Sequence, residues 1–361
     1  DTYFKPYSPS TPKQCQDRPV EDPSQWCQAD TGAKLNLSET VRVTHQVSSK
    51  HKLRYSFDNT RSETVRGDYT ALGSIASPEA SWHLPLYPAW LAQARWTAPL
   101  TSRLLFEAGY VYQRGDFRVN YQPQNGIDEV GVWDLIRSRI EENHYFVYDN
   151  QERKQEAKVS LAYVTGSHSI KSGVQFGTGW FEQRQDANAD LQQNYRSGVP
   201  DSVVIRNTPL KYRDTMNQDL SLYAQDSWTL NRLTVNGGIR FEWLKAENTA
   251  LTSGAGRFAP ARSFPTVPNL PDWFDVAPRL GLAYDLFGNA KTALKLSLNR
   301  YKDSRTTGIA GMYNPLAPAT ARLTWRDLNN DDIAQGELGC VYLTANCEIN
   351  LAQMPANFGI R

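Results

Sequence analysis

Asp327, Asn329 and Asp331 offer side-chain oxygens at the 1-3-5 spacing of a calcium loop. The match is incomplete: the sixth position is Asp332 rather than glycine, and Glu337 falls at position eleven rather than twelve. Asp327, Asn329, Asp331 and Glu337 therefore read either as a loose Ca²⁺ site in a loop or as a solvated acidic turn. Four cysteines form two close pairs, Cys15 with Cys27 and Cys340 with Cys347, in polar, proline-rich surroundings. An even count in local pairs points to two loop-stapling disulfides in an oxidising compartment, against four separate buried thiols. Zinc does not fit, because neither pair has C-x₂₋₄-C spacing and no histidine lies nearby.

No other pattern carries chemistry. The chain has no G-x-S-x-G, no H-E-x-x-H and no P-loop. Its histidines (His45, His51, His83, His144, His168) are scattered, and the acid pairs Glu141–Glu142 and Asp331–Asp332 have no defined partner. No catalytic residue, cofactor site or enzymatic activity is expected. Arg114-Gly115-Asp116 spells an adhesion tripeptide at the head of a long link, a match short enough to arise by chance.

The elements that must position these residues are strands. Leu233, Val235, Gly237, Ile239, Phe241 and Trp243 fall on one face; Thr234, Asn236, Gly238, Arg240 and Glu242 fall on the other. Residues 279–286 and 291–301 repeat the alternation, and weaker copies lie at 35–47, 52–60, 89–97, 103–113, 157–165, 170–181 and 217–229. That makes about ten strands by period-two patterning, with a further one near 201–207.

The links alternate. Ser48–His51, Ala98–Ser102, Thr165–Ser167, Leu230–Arg232 and Gly288–Ala290 are short; 61–86, 114–152, 184–215 and 245–276 are long. Compact domains rarely hold several structureless links of roughly 20–40 residues, whereas outer-membrane barrels have short periplasmic turns and long outer loops. An eleven-residue strand such as 233–243 spans about 36 Å at ~3.3 Å per residue. Tilted by ~40°, it covers about 28 Å, close to the ~25 Å apolar band of such barrels. Trp96, Trp228 and Phe287 sit beside short turns, and Tyr110, Tyr112, Trp180, Trp243 and Tyr301 sit where strands run into long links. Two such rings suit two membrane interfaces, although large rings also fill soluble β cores. Arg42, Arg54, Arg95, Lys158, Lys171 and Arg240 lie on the polar faces. Each would cost ~2–4 kcal/mol at mid-depth in lipid, so these faces must look into a wet interior.

Composition agrees by exclusion. No window approaches the ~20 apolar residues of a spanning helix, and 11% aromatic content argues against disorder. The 39 Lys+Arg balance 38 Asp+Glu, which leaves no electrostatic footprint for nucleic acid. Val132–Glu142 places Val132, Leu135, Ile136 and Ile140 at helical spacing, so it reads as a short helix over the mouth or as ordinary loop packing.

Two hairpins resemble a known family. Ser221–Trp243 (SLYAQDSWTLNRLTVNGGIRFEW) and Ala277–Tyr301 (APRLGLAYDLFGNAKTALKLSLNRY) are similar to barrel hairpins of TonB-dependent outer-membrane receptors. Thr324–Gly339 (TWRDLNNDDIAQGELG) resembles a loop of that family's Oar-like branch. The resemblance implies an all-β, antiparallel transmembrane barrel, here 10–12 of roughly 22 strands, in the bacterial outer membrane. Residues 1–34 and 302–361 would be mostly extracellular loop. It also implies energised uptake of a bulky nutrient through a plug pulled by a TonB-type coupler. No plug, TonB box or leader is apparent, so an internal barrel segment of a larger receptor is expected. The expected partners are outer-membrane lipid, the coupler and a nutrient ligand, with no nucleic acid. A surface adhesin or assembly barrel without transport, and a secreted all-β binding protein, are the alternatives.

Overall fold

The computed structural model describes residues 34–64, 75–76, 79–126, 128–136, 139–302 and 306–360. Cys15, Cys27 and nearly all of the 1–34 segment lie outside them. In chain order the strands are β1 (Lys34–Ser48), β2 (His51–Thr64), β3 (Ile75–Ala76), β4 (Leu84–Pro99), β5 (Leu104–Val119) and β6 (Gly131–Asp134). Then follow β7 (Arg139–Glu141), β8 (Val147–Val164), β9 (His168–Asp186), β10 (Leu191–Arg196), β11 (Val199–Arg206) and β12 (Leu210–Leu230). The last six are β13 (Leu233–Asn248), β14 (Leu251–Ser253), β15 (Arg262–Phe264), β16 (Asp272–Asp285), β17 (Ala293–Asn299) and β18 (Thr320–Thr324). Among the described residues one short α-helix, α1 (Gly308–Met312), precedes β18.

Ten strands form one antiparallel sheet, the wall, in the order β1-β2-β4-β5-β8-β9-β12-β13-β16-β17. These are the ten strands expected from alternation. Neighbours in space are neighbours in sequence once β3, β6, β7, β10, β11, β14 and β15 are set aside as link strands. Among the described residues β1 and β17 each pair on one side only, so the sheet is an open stretch of barrel wall. A two-residue turn joins Leu230 to Leu233, with Asn231 at φ 49°. Asparagine tolerates this left-handed conformation, which two-residue hairpins need.

The links differ from expectation. Three of them, together with β18 of the tail, fold into a second sheet, the head, of six strands in the order β18-β11-β10-β6-β7-β3, and the 245–276 link holds the separate β14–β15 pair. Four separate segments contribute to it. The expected strand near 201–207 is β11, and it belongs here rather than to the wall. The described residues of Val132–Glu142 are strand rather than helix: β6 and β7 pair there, Val132 with Glu141 and Trp133 with Ile140. β6 also adds in parallel to β10, and joining an existing sheet satisfies more backbone than an isolated turn of helix.

The wall strands also run further than the alternation showed. β8 begins at Val147 rather than 157, β12 at Leu210 rather than 217, and β16 at Asp272 rather than 279. The extra length lies at the long-link end. The adhesion-like tripeptide is one casualty: Arg114 to Asp116 lies inside β5, paired with Arg153 to Gln151. Asp116 is bonded to Arg114 and Arg153 and is not displayed.

Candidate functional site

The registers assemble two faces of opposite character. One row runs Leu53, Trp96, Ala108, Val159, Val174, Leu222, Phe241 and Val276 from β2 to β16. Among the described residues no second layer covers these side chains: Leu222 is 47% exposed, and Leu296 on β17 is 63% exposed. Water-soluble proteins rarely leave so continuous an apolar surface open. The adjacent row on the reverse face reads Thr44, Arg54, Arg95, Gly109, Lys158, Gln175, Ser221, Glu242 and Asp275. Here charges find partners: Lys171 with Glu107 at 3.2 Å and Arg300 with Asp275 at 2.7 Å. The Arg240 guanidinium donates to Glu242 at 2.9 Å and to Ser221 Oγ at 2.7 Å. All six basic residues expected on the wet face belong to this parity. A Cβ at Gly173 would come within 2.7 Å of Tyr223 Oη and Val159 O, so the missing side chain there is what lets Tyr223 lie across the wet face.

At the long-link end, α1 is tied against the wet face by a buried polar knot. Asn248 and Asn314 both donate to Asp214 Oδ1, at 2.8 and 2.9 Å, and Asn248 also donates to Ala310 O at 2.8 Å. Beyond it the head has its own apolar core of Leu191, Val203, Ile205, Phe258, Leu323, Trp325, Ala334 and Ile349. Charged latches join its segments. Asp190 accepts from Thr208 Oγ1 and from the Arg257 amide at 2.6 Å, and burial pushes its carboxyl upward. Arg257 donates to Ala334 O and Gly336 O, and Arg262 donates to Asn207 O, Pro209 O and Gly359 O. Arg206 is buried over the Tyr145 and Phe146 rings, at 5.0 and 4.6 Å, and burial brings its pKa down to about 10. None of Asp190, Arg206, Asp214, Arg257 or Arg262 has a sequence signal of its own; only tertiary pairing selects them.

The residues singled out in sequence separate in space. Asp327 and Asp331 come together with Glu348, their oxygens within 4.8 Å of one another. Glu337 instead pairs with Arg257 at 3.2 Å, and Asn329 donates to Asp331 Oδ2. Asp327 already accepts from the amides of Asn330, Asp331 and Asp332, so the loop is closed by its own backbone. Glu348 is buried and accepts from Trp325 Nε1 and the Leu328 amide. Cys340 and Cys347 are joined, stapling the loop that follows this turn.

His144 gives the head a pH dependence. It is 1% exposed, accepts a 2.7 Å hydrogen bond from Trp82 Nε1, and burial pushes its pKa down to about 3. An unfolded histidine titrates near ~6.5, so the opened segment binds the extra proton first. Stability is therefore full above that pH and falls as pH drops, by about 2 kcal/mol at pH 5. The protection factors of amides around Ile140 and Tyr145, with the intrinsic exchange rate at each pH divided out, should fall between pH 7 and 5. The same fall in a His144→Gln variant would assign it to another group.

A family model described as an outer membrane beta barrel domain matches residues 16–336. No curated protein matches the chain. Among solved structures it is similar to the outer membrane transporter YddB from Escherichia coli, at 11% identity and a TM-score of 0.49 over 82% of this chain and 38% of that one. It is also similar to the alcaligin outer membrane receptor FauA from Bordetella pertussis, at 13% and 0.47 over 81% and 39%. The copper transporter OprC matches at 10% and 0.45 over 75% and 37%. The chain thus spans about two-fifths of the length of these structures. Likeness at this level adds nothing to the family match.

Proposed function

The chain belongs to the outer membrane beta-barrel domain family, and from that premise we propose that it forms part of the barrel of a TonB-dependent receptor for a bulky nutrient. The supporting observation is the wall itself: an apolar face open to lipid, backed by a charged face that needs water, under a mouth folded from several links. The similarity of Ser221–Trp243 and Ala277–Tyr301 to family hairpins supports the same reading, and the tail supports the Oar-like branch.

In this reading a nutrient first meets the head. It then passes α1 and the Asp214 knot and travels down the charged face once a plug, supplied by the rest of the receptor, is withdrawn by the energised coupler. The test is uptake by cells carrying the whole receptor, across a panel of labelled nutrients, with and without the coupler. Uptake that needs both supports the proposal. Surface retention without uptake, or uptake indifferent to the coupler, overturns it.

A further inference from the structure

We propose that the junction between head and wall holds a carboxylate-binding site, with the Arg206 guanidinium as its cation and the Tyr121 and Tyr145 hydroxyls beside it. The inference concerns binding to the head and stands whether or not the barrel transports.

Arg206 ends β11 and is only 8% exposed. Among the described residues no oxygen accepts a hydrogen bond from it, and its Nε is buried without a partner. The Tyr145 and Phe146 rings lie against it, at 5.0 and 4.6 Å. Rings hold a cation but leave its N–H donors unbonded. With a pKa of about 10, the side chain keeps its charge at neutral pH. A buried cation without an acceptor is costly to the fold. Arg262, buried in the same head, gives its hydrogen bonds to Asn207 O, Pro209 O and Gly359 O. The acids nearby are engaged elsewhere: Asp190 accepts from Thr208 Oγ1 and the Arg257 amide, and Asp186 from the Ala187 amide. Arg206 is therefore a cation whose partner does not come from its surroundings.

The position is a crossing of chain segments. Tyr121 follows β5, Tyr145 and Phe146 precede β8, Asn188 follows β9, and Arg206 leads into β12. The Asn188 amide donates to Tyr121 Oη at 2.9 Å. Burial pushes Tyr121 up to about 12 and raises Tyr145, so both phenols keep their protons and can donate to an oxyanion. His144, a further neighbour, is held neutral by burial. One guanidinium is then the whole positive charge, with Asp186 and Asp190 close to Tyr121. That balance suits a carboxylate, which a guanidinium grips at two points, and disfavours a phosphate dianion.

The surroundings suit an aromatic body. Phe146 stacks on Tyr148 and Tyr148 meets Phe117, each with ring centres 5.7 Å apart. Tyr148 and Phe117 belong to the wet-face parity of β8 and β5, so the run of rings leads from Arg206 toward the lumen. A cavity of about 320 Å³ in the same junction is lined by Asn120, Tyr148, Asp186 and Pro209. An aromatic acid would set its charge at Arg206 and its rings along this run.

The whole receptor in detergent is titrated by calorimetry with naphthoate, the uncharged naphthamide and naphthyl phosphate. Naphthoate should bind about tenfold more tightly than naphthamide, and more tightly than the phosphate. Bound naphthoate should also raise the exchange protection of Ile205 and Tyr145. Arg206→Met keeps an apolar stem and removes the charge. It should erase the preference for naphthoate while ligand-free protection stays the same or rises. If that variant loosens the head, Tyr145→Phe decides: it keeps the ring under the guanidinium, and should weaken naphthoate severalfold and naphthamide not at all. Equal affinity for naphthoate and naphthamide, tighter binding of the phosphate, naphthoate binding unchanged in the deciding variant, or no binding of any probe at millimolar concentration would overturn the proposal.

Discussion

Trp325→Ala should destabilise the head by about 3–5 kcal/mol and leave the wall in place. Trp325 is fully buried, packs edge-on against Tyr195 with ring centres 5.4 Å apart, and donates to Glu348 Oε2 at 3.3 Å. Truncation opens a cavity in the only sizeable apolar core among the described residues and removes a partner from a buried carboxylate. That core contains no wall residue, so its loss should open the head locally. Amides of Val203 and Ile205 should exchange faster, while those of Val174 and Leu222 keep their protection. Trp325→Phe retains most of the ring and should cost less than half as much. Loss of protection in head and wall together would show that they form one cooperative unit.

The separate head explains what could be read from the sequence and what could not. Alternation is visible where one side of a strand meets lipid and the other meets water, as in 233–243. Above the membrane both sides are wet, and the reason to alternate disappears. Val147–Glu156 reads VYDNQERKQE and is nonetheless continuous strand, which is why β8 appeared ten residues short. The head is harder still. β10 reads LQQNYR, and its Gln192, Gln193 and Asn194 are buried. Gln193 holds the tail by donating to Asp332 O and accepting from the Ala334 amide. A buried strand built on amides resembles a loop until the partners of those amides, for Gln193 more than a hundred residues away, are known. The same limit applied to the acidic turn: spacing gathered Asp327 and Asp331, but Glu348 joins them from beyond the disulfide loop, and Glu337 is drawn off by Arg257. The wall hairpins lie close in sequence and were legible for that reason.

The same substitution at two consecutive positions should separate the faces of the wall. Val159→Arg places a guanidinium in the centre of the apolar row, between Ala108 and Val174, and should cost ~2–4 kcal/mol in membrane stability. Ser160→Arg points the same group to the reverse face, opposite Gly173 and beside Glu107. Water and a carboxylate are at hand there, and the cost should stay within roughly 1 kcal/mol. The residue introduced and its position in the chain are matched, and the loss of one valine side chain costs less than the difference expected, so the comparison reports the medium each arginine meets. Folding yield into bilayers, read by protease resistance against urea, measures it. Equal losses at the two positions would mean that both faces are dry or both are wet, and neither a lipid-facing band nor an aqueous path could then be assigned to this sheet. A larger loss at Ser160 would turn the wall inside out.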